Sequence, residues 1–374
     1  FHSYIKKKLT IFIRKSISFA IIIDYIKEII KKIKEEINKN ISQFNDSYPK
    51  FSDSSYRPFK ISENNFHNFY EKNSERKIAF VDGGNLELIN SANLSLNIIR
   101  AYYCIYKNNA RIKAKRQEFY ALVYADSIND EISYRTEIFN ENGAIVPDKN
   151  DLIFHSFEAT IKTGSNRIEA SRIGEVIRRL TELKIASEII NNLEKDDILV
   201  LDGNLQSTFT NENKYLENLY KNAKAKNILI AALSKTCSLM TDKGNAFTAV
   251  LENFDKEGKW YYHPVADIKN KHHKADIFFV KFHENSNYIF KLESYKEIEF
   301  KPDEVFGLIA SNCKDPIFLG YPYALIEADK FARIQENEKK YYLTTLMAEF
   351  GKEWKKLKPY LNTKNAHDIL DSIS

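Results

Sequence analysis

Two short apolar segments, each ending in Asp followed by Gly, constrain the fold more than any other feature of the sequence. The first runs from Lys77 to Asp82 and the second from Asp197 to Asp202. Apolar runs of this length that stop at glycine predict buried strands that end where the backbone turns. If the two strands lie side by side in one sheet, their terminal carboxylates meet at the same edge.

These two strands belong to a longer order of elements. Short connections predict an antiparallel meander of three strands, and the helix, strand, helix and strand that follow alternate as in a parallel crossover unit. The predicted fold class is therefore α/β, a ribonuclease-H-like mixed sheet flanked by helices. The elements predicted after the first strand are strands at Leu94–Tyr106 and Phe119–Tyr124, a helix at Ala170–Leu193, the strand ending at Asp202, a helix at Lys214–Lys224 and a strand at Asn227–Leu233.

The remaining segments are predicted to extend this core. A hairpin should widen the sheet and three helices should close the chain, while an amphipathic helix runs to about Asn40. The predicted units are an N-terminal helical extension (1–45), a main domain (75–352) and a C-terminal tail (353–374), with a polar boundary over 45–73. The hairpin strands are Ala275–His283 and Tyr288–Ser294, and the closing helices are Asp303–Ser311, Pro322–Ile334 and Glu338–Phe350.

Composition narrows the class of protein. The chain has 374 residues, enough for one large domain or two smaller ones, and its net charge of +5 permits nucleic-acid binding without requiring it. The three cysteines form no CxxC pair, so we expect neither a zinc site nor disulfides, and we expect a reducing, cytoplasmic setting. Arg14 and Lys15 interrupt the apolar N-terminal stretch, and no stretch approaches the roughly 20 apolar residues that span a bilayer.

Four acidic residues are the candidate metal ligands. Asp82 and Asp202 would each fit a simple turn if taken alone, but two carboxylates at neighbouring strand ends repel each other, and a bound cation compensates for this. Glu182 lies within the apolar arc of its helix, near Ala186 and Ile189, where a carboxylate is costly unless it is paired or coordinated. Glu175, one heptad earlier, is the reserve candidate.

Two alternatives remain open at this stage. Glu182 could simply pair with Arg178 or Arg179, and Asp329, about two turns into a helix that Pro322 begins, could be solvated. Four carboxylates together suit one or two hard cations, Mg²⁺ or Mn²⁺.

Five short motifs, in this order and spacing, resemble the NurA nuclease family, the partner of the hexameric translocase HerA. The resemblance runs from about Lys77 to Arg333. The motifs are Val81-Asp82-Gly83-Gly84, the helix segment Arg178 to Leu183, Leu201-Asp202-Gly203-Asn204-Leu205, Leu233-Ser234-Lys235-Thr236, and the most distinctive one, Tyr321-Pro322-Tyr323-Ala324-Leu325-Ile326-Glu327-Ala328-Asp329.

The resemblance implies a ribonuclease-H-like core and a Mn²⁺-dependent nuclease, a 5′–3′ exonuclease and single-strand endonuclease acting on DNA. It also implies a homodimer around a DNA channel and DNA end resection with HerA. The family's metal-binding acids fall on Asp82, Glu182, Asp202 and, for the late-helix ligand, Asp329. Tyr321 matches an aromatic position near the site, and Lys235 matches a basic residue that would contact the scissile phosphate. After the first Asp-Gly the family usually has Ser, where this chain has Gly84.

The sequence leaves two alternatives to a DNA nuclease. One is a non-catalytic DNA clamp or adaptor of a translocase complex, and the other is a ribonuclease-H-like nuclease for RNA-containing substrates. DNA repair and defence against invading DNA would use the same chemistry. Among the remaining features, we interpret Tyr102, Tyr103 and Tyr106 as core or interface side chains rather than base-stacking ones, and His272 and His273 as solvated residues of a polar turn.

Overall fold

A single sheet of eleven strands dominates the computed structural model, which describes residues 25–37, 47–128, 130–140, 143–162 and 169–361. Its strands and those of two small sheets are β1 (Pro49–Lys50), β2 (Tyr56–Pro58), β3 (Phe66–Asn68), β4 (Lys77–Asn90), β5 (Leu94–Lys107), β6 (Ala110–Ile128), β7 (Glu131–Phe139), β8 (Phe154–His155), β9 (Ile198–Asp202), β10 (Leu229–Ser234), β11 (Met240–Thr241), β12 (Trp260–Tyr262), β13 (Ala266–Ile268), β14 (Ala275–Lys281) and β15 (Phe290–Tyr295).

The helices are α1 (residues 25–37), α2 (Ala170–Ile189), α3 (Glu212–Lys226), α4 (Phe247–Glu252), α5 (Pro302–Ser311), α6 (Tyr323–Ala332), α7 (Glu336–Phe350) and α8 (Trp354–Leu361). Each helix that the sequence predicted within the core has a counterpart here. Among the described residues, no helix is both long and apolar enough to cross a bilayer.

The centre of the sheet has the predicted ribonuclease-H-like order, β6-β5-β4-β9-β10. Strands β4, β5 and β6 form the antiparallel meander, and β9 lies parallel to both β4 and β10. The hairpin of β14 and β15 continues the sheet beyond β10, as predicted. In the register of β4 and β9, Val81 pairs with Leu201, so Asp82 and Asp202 follow side by side on adjacent strands.

The prediction that the first strand stops at Asp82 is wrong, because β4 continues through Gly83 and Gly84 to Asn90. The two glycines serve close packing rather than a turn. A Cβ atom on Gly83 would lie 2.6 Å from Glu182 Oε1 of α2, and one on Gly84 would clash with the carbonyl oxygen of Ala332 in α6. The strand therefore passes between two helices that approach it closely from opposite faces.

The polar boundary predicted over 45–73 is also wrong for its described part. Residues 47–73 contain β1, β2 and β3, and β3 pairs with β12 at the edge of the main sheet. Tyr56 and Ile61 belong to a second apolar cluster that includes Trp260, Tyr262 and Phe279. The stretch after residue 127, for which the sequence predicted no helix or strand, likewise contains strand β7. The limits 1–45, 75–352 and 353–374 stay a prediction, and residues 1–24, 38–46 and 362–374 lie outside the described residues.

Two helix layers cover the centre of the sheet. Asp82 pairs in register with Tyr102, whose hydroxyl donates to Glu327 of α6, so Asp82 and α6 share one face. Gly83, the next residue, faces Glu182 of α2 on the opposite face. Since side chains alternate along a strand, this register decides which helix each residue of β4 meets.

Candidate active site

Three carboxylates from separate elements converge at one edge of the sheet. Asp82 lies within β4, Asp202 is the last residue of β9, and Asp329 lies in α6. One oxygen from each of the three lies within 4.8 Å of the others. Such a set of hard, negatively charged oxygens is the donor type that Mg²⁺ and Mn²⁺ prefer. The residues present therefore fit a divalent cation.

Lys235 joins this cluster from the residue after β10. Its Nζ donates to Asp202 Oδ2 at 2.6 Å and to Asp329 Oδ1 at 2.9 Å. Burial works against the ammonium, but the Asp202 and Asp329 carboxylates outweigh it and raise the pKa of Lys235 to about 12. Asp329 also accepts from Arg333 Nη2 at 2.5 Å, one helical turn later.

Tyr321 supports the cluster from the side. Its ring is fully buried beside Phe290 and Phe318, and its hydroxyl lies 3.4 Å from Asp202 Oδ1. Burial, together with the charge of Asp202, raises the pKa of Tyr321 well above its ordinary value. The phenol therefore stays protonated and can only donate to Asp202.

The cluster is short of positive charge at Asp82. This side chain is 6% exposed, and burial followed by repulsion from Asp202 and Glu182 raises the pKa of Asp82 to about 8. The Gly83 amide donates to Asp82 Oδ1 at 2.7 Å and the charge of Lys235 helps, but neither offsets the shift. A carboxylate in this state is stabilised by a bound cation, because opposite charge favours the ionised form.

Glu182 reaches the same region but has a different environment. It is 3% exposed on the inward side of α2, as its helical position predicted, and Glu175 is exposed. Arg178 Nη1 donates to Glu182 Oε1, and Arg179 Nη1 lies 3.6 Å from Oε2. Both arginine pairings considered from the sequence are therefore present. Glu182 lies against Gly83, directly behind Asp82, rather than within the group of three converging carboxylates.

Helix α6 is fixed in place by a carboxylate that points away from the cluster. Glu327 is 6% exposed and accepts from the hydroxyls of Tyr102 and Tyr106 on β5 and from Arg111 on β6, the last two at 2.6 and 2.8 Å. Asp329 lies two residues further along the same short helix. These bonds confirm the interpretation of Tyr102 and Tyr106 as core side chains, and the buried Tyr103 agrees with it.

A family model described as the NurA domain matches residues 76–334, about two thirds of the chain. The chain belongs to the NurA family. It is accordingly a nuclease, which means a phosphodiester hydrolase. Comparison with curated proteins gives no match.

Solved structures resemble the chain only distantly. The NurA nuclease from Sulfolobus solfataricus is 13% identical with a TM-score of 0.48, over 87% of this chain and 95% of that chain. The catalytic domain of human Endonuclease V is 9% identical with a TM-score of 0.38, over 74% of this chain and 92% of that chain. Argonaute from Aquifex aeolicus is 10% identical with a TM-score of 0.31, over 70% of this chain and 28% of that chain.

The one departure from the NurA pattern noted in the sequence has a steric reason. Position 84 has no room for a serine side chain, because the Ala332 carbonyl oxygen at the end of α6 occupies the space of its Cβ. A serine there would push away the helix that carries Asp329. The close approach of α6 to β4 therefore requires glycine at position 84.

The prediction that His273 is solvated is wrong. His273 is 2% exposed; its Nδ1 lies 2.8 Å from the Tyr56 hydroxyl, and its Nε2 lies 3.1 Å from Glu293 Oε2. The flanking residues Lys271 and Lys274 suggested an exposed turn, and no local pattern indicated a buried carboxylate on β15. His272, its neighbour, is exposed as predicted.

Proposed function

We propose that this chain is a divalent-metal-dependent DNA nuclease. The observation that carries the proposal is the convergence of Asp82, Asp202 and Asp329, with one oxygen from each within 4.8 Å of the others. Mn²⁺ or Mg²⁺, as one or two ions, is the cation that these oxygens suit. When bound, the metal supplies charge stabilisation at the scissile phosphate and lowers the pKa of a water molecule.

The chain's own residues have distinct roles in this proposal. Asp82, Asp202 and Asp329 hold the cation, and Glu182 supports it from behind Gly83 as a further acid. Tyr321 donates to Asp202 and limits the orientation of that carboxylate. Lys235 holds Asp202 and Asp329 together, and its ammonium is available to a non-bridging phosphate oxygen of the substrate strand.

The biological setting is proposed from the family resemblance. The chain would degrade DNA 5′–3′ from ends and cut single strands, as a homodimer working with a HerA-like hexameric ATPase. DNA end resection or defence against invading DNA would use this activity. A cytoplasmic setting is part of the same proposal, since the three cysteines are far apart and free.

End-labelled DNA provides the test. Single-stranded and duplex DNA, and an RNA/DNA hybrid, are incubated with the protein and Mn²⁺, Mg²⁺ or EDTA, with and without a HerA-type ATPase. Asp82→Ala is the test variant, and Asp267→Ala, on the exposed side of β13, is the matched control. We expect metal-dependent loss of DNA with wild type and with Asp267→Ala, and none with Asp82→Ala.

Two results would overturn parts of the proposal. Full activity in Asp82→Ala would exclude the acidic site as the catalytic one. DNA binding without cleavage under every condition would favour a non-catalytic clamp, while much faster cleavage of the hybrid would favour an RNA-directed enzyme. The position of the label in the products reports the polarity.

A further inference from the structure

A cavity of about 380 Å³ lies on the other side of the β9 and β10 ends from the acidic cluster. Two consecutive residues, Ser234 and Lys235, contribute their side chains to different sites. Lys235 turns to Asp202 and Asp329, while Ser234 lines the cavity and donates to the Gly203 carbonyl oxygen at 2.6 Å. A ligand in the cavity would therefore be one residue away, along the chain, from the lysine of the active site.

The floor of the cavity is a chain of paired polar groups. The Tyr56 hydroxyl bonds to His273, whose Nε2 lies 3.1 Å from Glu293 Oε2, and Lys291 Nζ donates to Glu293 Oε1 at 2.7 Å. The amide of Leu205 also donates to Glu293, at 2.7 Å. Glu293 is 1% exposed, and burying a charge is costly unless it is fully paired. Here the pairing fixes polar side chains beneath an open cavity.

The walls supply the three kinds of contact that a nucleotide needs. Asn204 and Gln206 offer side-chain amides, which pair with base edges, and Lys50 offers a cation for a phosphate. Phe51 also lines the cavity, and it is stacked on Tyr56 with ring centroids 4.9 Å apart. An aromatic face is a platform for a base of any sequence.

Part of this wall comes from outside the region that defines the family. Lys50, Phe51 and Tyr56 precede residue 76, where the family match begins. The segment is held in place by two small two-stranded sheets, since β1 pairs with β11 and β2 pairs with β13. The cavity thus joins the family's core to a segment that the family model does not describe.

We propose that this cavity is a nucleotide subsite, which binds a nucleoside monophosphate unit of the strand next to the scissile phosphate. The part of the proposal that concerns the strand rests on the proposed nuclease function. The binding of the nucleotide itself does not, because the cavity is separate from the three carboxylates and needs no metal.

Binding is measured by isothermal titration in EDTA, which removes the metal-dependent route to the acidic cluster. The probes are the four deoxynucleoside 5′-monophosphates and a phosphorothioate tetranucleotide. Ser52→Trp fills the mouth of the cavity, and Ser54→Trp is the matched control, since Ser54 lies two residues away, is exposed and does not line the cavity. Lys50→Glu is a second, smaller change to the same wall.

We expect saturable binding to wild type and to Ser54→Trp, and at least tenfold weaker binding to Ser52→Trp and Lys50→Glu. If Ser52→Trp does not fold, Lys50→Glu and wild type decide. Binding of the tetranucleotide alone assigns the subsite to the strand, whereas binding of the free nucleotides also assigns it to the released product. No saturable binding of either probe at millimolar concentration, or equal binding to all folded variants, overturns the proposal.

A second readout separates this proposal from that of the nuclease. In Mn²⁺, Ser52→Trp should raise the KM for single-stranded DNA at least fivefold and leave kcat within about twofold of wild type. Asp82→Ala should show the reverse, with cleavage lost and nucleotide binding in EDTA retained. Unchanged cleavage by Asp82→Ala would contradict the nuclease proposal. An unchanged KM in Ser52→Trp would contradict the subsite alone.

Discussion

The acidic cluster and the floor of the cavity each contain a buried carboxylate of the main sheet, Asp82 on β4 and Glu293 on β15, but the surroundings of the two shift their pKa values in opposite directions. At Asp82, burial and neighbouring acids raise the pKa to about 8. At Glu293, burial acts in the same direction, but the bond from His273 and the charge of Lys291 outweigh it and lower the pKa to about 2. The first carboxylate lacks a cation and the second already has its partners.

This difference distinguishes a site that binds a catalytic cation, around Asp82, from a polar network that stabilises the fold, around Glu293. A fold gains nothing by burying a carboxylate such as Asp82 beside other acids without a cationic partner, so its position points to a ligand that neutralises it. A paired network instead contributes to stability, and removing one partner leaves the other charge buried and alone. Substitutions that neutralise one acid in each region should therefore change stability in opposite directions.

The largest expected effect is the loss of cleavage when an acid of the cluster is neutralised. Asp82→Asn and Asp202→Asn should each lower kcat by about 10³-fold or more, since each removes a negative charge that holds the cation. Without metal, Asp82→Asn should also raise the melting temperature, because it removes the cost of burying an ionisable acid beside Asp202 and Glu182. Cleavage assays and thermal melts in EDTA check both, with Asp267→Asn as the control; a lower melting temperature for Asp82→Asn would contradict the comparison.

Neutralising the paired acid should have the opposite effect on stability. Glu293→Gln should lower the free energy of unfolding by about 3–5 kcal/mol, because Lys291 loses its buried counter-charge and the Leu205 amide loses a charged acceptor. Urea unfolding at neutral pH measures this. Glu297→Gln, four residues later and paired with Lys224 at the surface, is the matched control and should change stability by less than about 1 kcal/mol.

The pH dependence of stability gives a third test of the same difference. The pKa of Glu293 is below its ordinary value of 4.5 in the folded protein, so its contribution is present above about pH 4.5 and is lost as the pH falls towards 2. The shift corresponds to roughly 3 kcal/mol. The stability difference between wild type and Glu293→Gln, from urea unfolding at several pH values, should shrink across this window. A constant difference would show that the charge of Glu293 is not what the network stabilises.

The sequence could predict those parts of the site that depend on local pattern. The apolar runs before Asp82 and Asp202 indicated two buried strands, and the helical phase of Glu182 indicated its burial. The close packing of Gly83 and Gly84 was not predictable in this way, because a glycine pair after an apolar run also signals a turn, and only the positions of α2 and α6 decide between the two.

Contacts between distant segments were beyond local pattern. Asp329 reaches Asp202 from a helix 127 residues later, and no local pattern brings the two together. The contact between His273 and Glu293 joins a turn to a strand, and Tyr56 reaches it from a segment that the sequence suggested was a boundary. Such contacts are set by the sheet order, and charged flanking residues such as Lys271 and Lys274 obscure them.

The smallest effect concerns Glu327, which belongs with the paired acids although it lies two residues from the acidic cluster. Burial opposes its ionised form, but bonds from Tyr102, Tyr106 and Arg111 outweigh this and keep the pKa of Glu327 below its ordinary value. Glu327→Gln should therefore cost about 1.5–3 kcal/mol of stability, as for other bonds to a charged group, and Tyr106→Phe about 1 kcal/mol. If these bonds also position Asp329, Glu327→Gln should weaken Mn²⁺ binding several-fold, whereas Glu336→Gln on α7 should not. Unchanged metal affinity with reduced stability would mean that Glu327 anchors α6 without setting the geometry of the acidic cluster, because the contacts of Lys235 and Arg333 with Asp329 would then suffice to hold that carboxylate in place.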